Sequence, residues 1–270
     1  MAMRPPMPVP TLSRRARVIL GAVALLVVGL SVLGTLTSQY VDYLWFDETG
    51  FTQVFWTELS TRVVLFLVVG VLTGAAVGGN ILLAYRTRPT FRPMSLEQQN
   101  LERYRVAVQA RRTLIVVAVA VVLGVFAGGT AQSNWQIWLM WRNGTDFGVV
   151  DPQFGTDVSF FAFDYPFYRL VLGFGFAIVL LSLAGAAAVH YLYGGIRLQS
   201  KGDRLSSAAR VHLSVLLGVF VLLKAFAYYL DRFGLVFSDR NGITTGASYT
   251  DVTALLPAKT ILMFVAAICA

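Results

Sequence analysis

Five apolar runs, each about 20 residues long and nearly free of charge, constrain this chain more than any other feature: Val18 to Ser38, Val63 to Ala84, Thr113 to Ala131, Leu170 to Tyr193 and Val211 to Leu230. An α-helix rises ~1.5 Å per residue, so roughly 20 residues cross a hydrocarbon layer ~30 Å thick. Lipid offers no partner to a backbone N–H or C=O, and a run of this length satisfies its own as a helix. The expected fold class is therefore all-α, a polytopic transmembrane helix bundle. A sixth run begins at Ala258 and reaches Ala270. It is too short to span by itself, and it reads as the start of a span in the amino-terminal piece of a longer protein.

Composition narrows the alternatives. At 56% hydrophobic and 13% charged residues, the chain lies beyond the usual range of soluble domains. Its one cysteine, Cys269, cannot close an intramolecular disulfide, and no Cys/His cluster offers a metal site. No Walker loop, HExxH, GxSxG or GxGxxG pattern occurs, so no cofactor is expected. The net charge of +8 does not imply nucleic acid, because the basic residues fall in short blocks between apolar runs instead of on one solvated face.

Those blocks set topology. Residues 1–17, 85–112 and 194–210 hold most of the 22 basic residues against only Glu97, Glu102 and Asp203. The connections 39–62, 132–169 and 231–257 hold the remaining acids, among them Asp42, Glu58, Asp146, Asp231 and Asp251. By the positive-inside rule the amino terminus and loops 85–112 and 194–210 are cytoplasmic, and the other three loops lie outside. A cleaved signal peptide is the competing reading of the first run. The run is longer than a signal core, no A-x-A site follows it, and its removal would upset the alternation of the loops. Within 85–112, Ser95 and Gln98 form a capping-box pattern ahead of Leu101, Tyr104 and Val108 at helical spacing. Either an amphipathic helix lies along the inner headgroups with its arginines toward anionic lipid, or the segment merely leads into the third span.

Few residues offer chemistry. Gly70, Gly74 and Gly78 stand four apart in the second span, as do Gly124 and Gly128 in the third, a spacing that lets helix backbones approach. Lys224 is the one charge well inside an apolar run. Its position near the outer end favours snorkelling outward along the face shared with Tyr228 and Asp231, with an ion pair or a transport role as alternatives. His190 and His212 sit near cytoplasmic span ends and read as solvated or interfacial. The outer loops hold DYLWFDETGFTQVFW from Asp42, NWQIWLMW with Trp135 and Trp138 on one helical face, and VDPQFGTDVSFFAFDYPFYRL from Val150. Aromatics alternating with acids suit an outer interfacial belt. Asp151, Asp157 and Asp164 could act as paired carboxylates or cation ligands, although no His, nucleophile or metal motif accompanies them. Asn241-Gly242 is a turn signal in the last outer loop.

Three segments carry a resemblance: DYLWF with GFTQVFW, FGVVDPQFGTDVSFFAFDYPFYR, and YLDRFGLVFSDRNGITTGASYTDVTALLPA. In them the chain resembles the bacterial, often actinobacterial, membrane proteins grouped as uncharacterised protein family 0182. The resemblance implies about seven amino-terminal spans in the bacterial plasma membrane followed by a large extracytoplasmic portion, and it brings no established activity. The expected function is non-enzymatic: a membrane platform for an extracytoplasmic domain or envelope complex. Its partners would be the lipid bilayer and other envelope or membrane proteins, with no nucleic acid. The alternatives are a transporter or channel subunit, and an outer-face enzyme acting on lipid or cell-wall substrate through the three aspartates.

Overall fold

The computed structural model describes residues 13–89, 96–198, 203–239, 242 and 245–270. Ser95, Arg92, Lys201, Arg240 and Asn241, and with them the capping box and the Asn-Gly turn, lie outside the described residues. Eight α-helices run through the described residues: α1 Arg14–Glu48, α2 Thr52–Arg86, α3 Leu96–Ala110, α4 Arg112–Gln132, α5 Trp135–Arg142, α6 Tyr165–Leu192, α7 Ser207–Phe233 and α8 Leu256–Cys269. There is no named strand among the described residues, so the fold is all-α. Six helical segments are long and apolar enough to cross a membrane, which suggests a multi-pass membrane protein. The helices outrun the apolar stretches that nucleate them: α1 continues from Ser38 to Glu48, and the last helical segment begins at Asp251 instead of Ala258.

The described residues divide into two compact units, one up to Ser60 and one from Thr61 onward. In the first, α1 starts on Ser13, whose hydroxyl accepts the Ala16 N–H at 3.2 Å. It stops where Gly50 adopts a left-handed φ of 77°. The Gly50 N–H then reaches the Asp47 carbonyl at 3.1 Å and the Phe51 N–H reaches that of Phe46 at 2.8 Å, the paired bonds that close a helix on a glycine. Past this turn Phe55 is buried, with the Tyr43 ring edge-on at 5.6 Å.

The second unit is a bundle with two distinct ends. Its loop end carries α5 and the segments 143–164, 234–239 and 245–255; its basic end carries Tyr85 to Pro89, α3 and the segments 193–198 and 203–206. Helices α2 and α4 run antiparallel with Gly70 against Gly124, Gly74 against Ala120 and Gly128 against Phe66. The approach is so close that a Cβ on Gly124 would lie 2.7 Å from the Gly70 carbonyl oxygen, and one on Gly74 would lie 2.8 Å from that of Ala120. Gly78 is looser, at 3.2 Å from the Ala120 methyl. Helices α6 and α7 form an antiparallel hairpin stapled by Ala186 and Leu216 toward the basic end and by Leu172, Ala227 and Leu230 toward the loop end. Their connection pairs Arg197 N–H with the Arg204 carbonyl and Ser206 N–H with that of Gly195, both at 2.8 Å. Ser206 then caps α7 through the Ala209 N–H at 3.2 Å.

Segment 96–110 is a helix of its own. Arg111, at φ −130° and ψ 23°, breaks it from α4. Arg105 does not face outward as an arginine directed at lipid would: it is only 3% exposed, and its Nε–H donates to the Leu192 carbonyl at the end of α6. A guanidinium there meets the unsatisfied carbonyls and negative dipole end of α6.

Candidate functional site

The loop end is assembled from short-range carboxylate bonds and long-range aromatic contacts. Residues 149–158 form a tight hairpin, with Val158 N–H on the Val149 carbonyl and Asp151 N–H on the Thr156 carbonyl, both at 2.8 Å. The Asp151 carboxylate holds the turn by accepting Gln153 N–H at 3.0 Å and Phe154 N–H at 2.7 Å. The Asp157 carboxylate accepts Phe147, Gly148 and Ser159 N–H groups at 3.0, 2.8 and 2.8 Å. These donors, with the Ser159 hydroxyl foremost, lower its pKa to about 2. Held ionised and aimed at its own backbone, Asp157 is suited to fixing the loop and unsuited to donating a proton near neutral pH. Asp164 lies in the turn that opens α6 and has no hydrogen-bond or ion-pair partner among the described residues. Asp151 and Asp157 thus share one hairpin with each carboxylate turned to backbone N–H groups, Asp164 lies in the following turn, and no group of three or more His/Cys/Asp/Glu residues among the described residues is arranged to hold a metal.

The hairpin enters α6 through a π-helical turn, Phe160–Asp164, and α8 opens in the same way with Asp251–Leu255. In each case an i→i−5 bond, Tyr165 N–H to Phe160 or Leu256 N–H to Asp251, precedes Pro166 or Pro257. A proline ring collides with the carbonyl four residues before it in a regular helix, and the wider turn relieves that collision. The turn rotates Phe160 and Phe161 onto Phe233, with centroids at 4.9 and 6.3 Å, while Phe154 of the hairpin meets the same ring at 4.9 Å. Trp141 stacks on Phe167 at 4.0 Å, so α5 is tied to α6. Asp231 of α7 pairs with Arg169 of α6 at 2.8 Å and with Lys259 of α8 at 3.2 Å. Asp251 is fully buried and accepts the N–H and hydroxyl of Ser248 at 2.9 and 2.8 Å. Phe147, Val149, Val150 and Tyr249 remain exposed on this framework, Tyr249 by 83%.

Lys224 is exposed, with its ammonium 4.9 Å from the centroid of the Tyr228 ring. Asp231, which shares its helical face in sequence, turns instead to Arg169 and Lys259. The two histidines, expected to be solvated or interfacial, are buried: His190 is 0% and His212 8% exposed, and they face each other across α6 and α7. His190 Nε2 lies 3.2 Å from His212 Nδ1, and His212 Nε2 lies 3.0 Å from Asn80 Oδ1. Asn80 in turn donates to the Ala76 carbonyl at 2.8 Å. Because the amide oxygen only accepts, His212 carries its proton on Nε2 and accepts from His190 at Nδ1, giving a one-way chain from α6 through α7 to α2. One sequence signal could have suggested the histidine contact and was not read: His190 and His212 stand at similar distances from the middle of the 194–210 connection, as residues facing each other across a hairpin do.

Fold and site together give an all-α helical bundle whose six long apolar helices suggest a multi-pass membrane protein with an ordered loop end. The chain belongs to the Uncharacterised protein family (UPF0182), which it matches over residues 18–270. It is 50% identical over 256 residues to a UPF0182 protein of Frankia casuarinae, covering 95% of this chain and 25% of that one. A UPF0182 protein of Salinispora arenicola is 49% identical over 269 residues, 99% of this chain and 27% of that protein. One from Streptomyces coelicolor is 48% identical over 262 residues, 96% and 26% respectively. The chain therefore spans about a quarter of the length of the curated relatives it matches. No solved structure matches it.

Proposed function

We propose that this chain is a plasma-membrane platform that orients an extracytoplasmic portion or envelope complex, with its amino terminus and basic end in the cytoplasm and its loop end outside. One observation carries the reading: the loop end is braced at every level, by the Asp157 carboxylate, the Phe233 aromatic cluster and the Asp231 ion triad, while it presents Phe147, Val149, Val150 and Tyr249 unburied. Exposed apolar side chains on a rigid support are the makings of a contact surface. The relatives' much greater length supplies a source for what would be held there. The test is mild-detergent extraction of the full-length protein after crosslinking in cells, combined with impermeant thiol labelling of Tyr249→Cys and Leu198→Cys in intact cells. The expected result is an assembly larger than a monomer with only the Tyr249 position labelled. A lone monomer, or labelling at Leu198 alone, would refute the proposal.

A transporter or channel subunit is the second reading, supported by the buried His190–His212–Asn80 chain and by the Thr73 and Ser182 hydroxyls, which are buried without partners among the described residues. Under this reading His212→Asn abolishes a solute or proton flux in reconstituted vesicles while the protein stays folded. Under the platform reading it leaves no flux to lose.

A further inference from the structure

At the basic end, α2, α4 and α6, with Val108 of α3, line a partly open cavity of about 330 Å³. Its wall is apolar, built from Ile81, Ile115, Val116, Val189 and Leu192 among others. Its polar edge is cationic and aromatic. Tyr85 and Tyr193 line it and meet edge to face at 5.2 Å. Arg112, a lining residue, donates from Nη1 to the Tyr85 hydroxyl at 2.7 Å. The Arg88 guanidinium lies over both rings, 4.1 Å from the Tyr85 centroid and 5.6 Å from that of Tyr193. Arg86 also lines the cavity and is exposed, as is Arg112.

Three guanidiniums are gathered here, and none of them makes an ion pair with a carboxylate among the described residues. Two acids of the same end, Glu102 and Asp203, pair with other arginines, Glu102 with Arg105 at 2.8 Å and Asp203 with Arg210 at 3.6 Å. Arg88 Nη1 is shielded from solvent without a hydrogen-bond acceptor among the described residues. A buried guanidinium nitrogen without an acceptor is costly, and gathered like charges repel, so the cluster is complementary to an anion. The planar fork of Arg suits phosphate oxygens in particular. A small soluble anion would leave the adjoining apolar cavity unused; an amphiphile with an anionic head fills both.

We propose that this cavity binds one anionic phospholipid, its phosphate held by Arg86, Arg88 and Arg112 and an acyl chain lying against Val116, Val189 and Leu192. Arg105, fixed on the Leu192 carbonyl, keeps α3 docked so that Val108 can complete the wall. Basic pockets between membrane helices are a recurring way of taking lipid head groups.

The test uses full-length protein, native mass spectrometry and thermal unfolding, with phosphatidylglycerol, phosphatidylcholine or inorganic phosphate added in neutral detergent. The expected result is one retained phosphatidylglycerol that raises the melting temperature, with phosphatidylcholine and phosphate ineffective. Arg88→Gln and Arg112→Gln each weaken phosphatidylglycerol binding about tenfold or more. Val189→Phe, which fills the cavity and leaves every arginine in place, weakens it as well, and Arg14→Gln does not. Arg88→Lys keeps the charge and retains part of the binding, which separates loss of the site from loss of the fold. Equal retention of the two lipids, unchanged binding in the Gln variants, or equal protection by inorganic phosphate would each overturn the proposal.

Discussion

Gly128 and Gly129 are neighbours in α4 with opposite surroundings, and replacing each by alanine gives a matched pair. A Cβ on Gly128 would sit 2.5 Å from the Phe66 carbonyl oxygen and 2.9 Å from that ring's Cδ2, whereas one on Gly129 would meet nothing within 4 Å. Carbon-to-oxygen contacts between backbones settle at roughly 3.3 Å or more, so Gly128→Ala must push α2 and α4 apart by the better part of an ångström. That also lengthens the Gly70–Gly124 approach. Overpacking of this kind costs about 1–3 kcal/mol, and at about 2–4 °C per kcal/mol for a protein of this size the melting temperature falls by several degrees. Gly129→Ala removes backbone freedom without a clash, so its stability stays within about 0.5 kcal/mol of the parent or rises slightly. Thermal unfolding of both variants in the same detergent, followed by far-ultraviolet circular dichroism, is the assay. Equal melting temperatures, or a stabilised Gly128→Ala, would refute the claim that backbone contact at these glycines holds α2 to α4.

Three other expectations follow from the geometry. The folded Asp157 pKa of about 2 lies below its ordinary value of 3.8, so its contribution is fully present above pH ~4 and is lost as the pH falls through about 2; hydrogen exchange at Phe147 and Gly148 should accelerate across that window, and in Asp157→Asn it should already be fast at neutral pH. Asp231→Asn removes the shared partner of Arg169 and Lys259, and because the triad is partly exposed the loss should be about 1–2 kcal/mol in thermal unfolding. His212→Leu strands His190 Nε2 and Asn80 Oδ1 in the bundle interior and should cost about 1–3 kcal/mol, measured as the denaturation midpoint in mixed micelles.

What was legible in the sequence divides along physical lines. Apolar length is a local property, so the helical segments and the all-α class could be read from Val18, Val63, Thr113, Leu170 and Val211 onward. The family could be read as well, because DYLWF and FGVVDPQFGTDVSFFAFDYPFYR are long and specific. The four-residue glycine spacing marked a small face on two helices, but which backbone comes against it depends on the tertiary arrangement. The same limit hid the His190–His212–Asn80 chain, whose members are separated by 22 and 132 positions, and the Arg105 contact with Leu192. Asp151 and Asp157 drew attention as acids, yet their role is set by the N–H groups that a hairpin turns toward them. The π-helical entries to α6 and α8 leave one shared trace, a proline that follows an aspartate by two residues in one case and by six in the other, and a proline fits an ordinary helix start equally well.

The central claim, that the braced loop end holds something outside the membrane, is tested most directly by placing a photo-crosslinking amino acid at Val149 of the full-length protein in living cells and mapping the products by mass spectrometry. Val149 is exposed beside the hairpin held by Asp157, and Val71, exposed on α2 in an apolar span-length segment, serves as the control. The platform account predicts discrete adducts from Val149, either to a later segment of the same polypeptide or to one envelope protein, with Val71 giving lipid adducts only. The absence of protein adducts at Val149, or the same products from both positions, would contradict it.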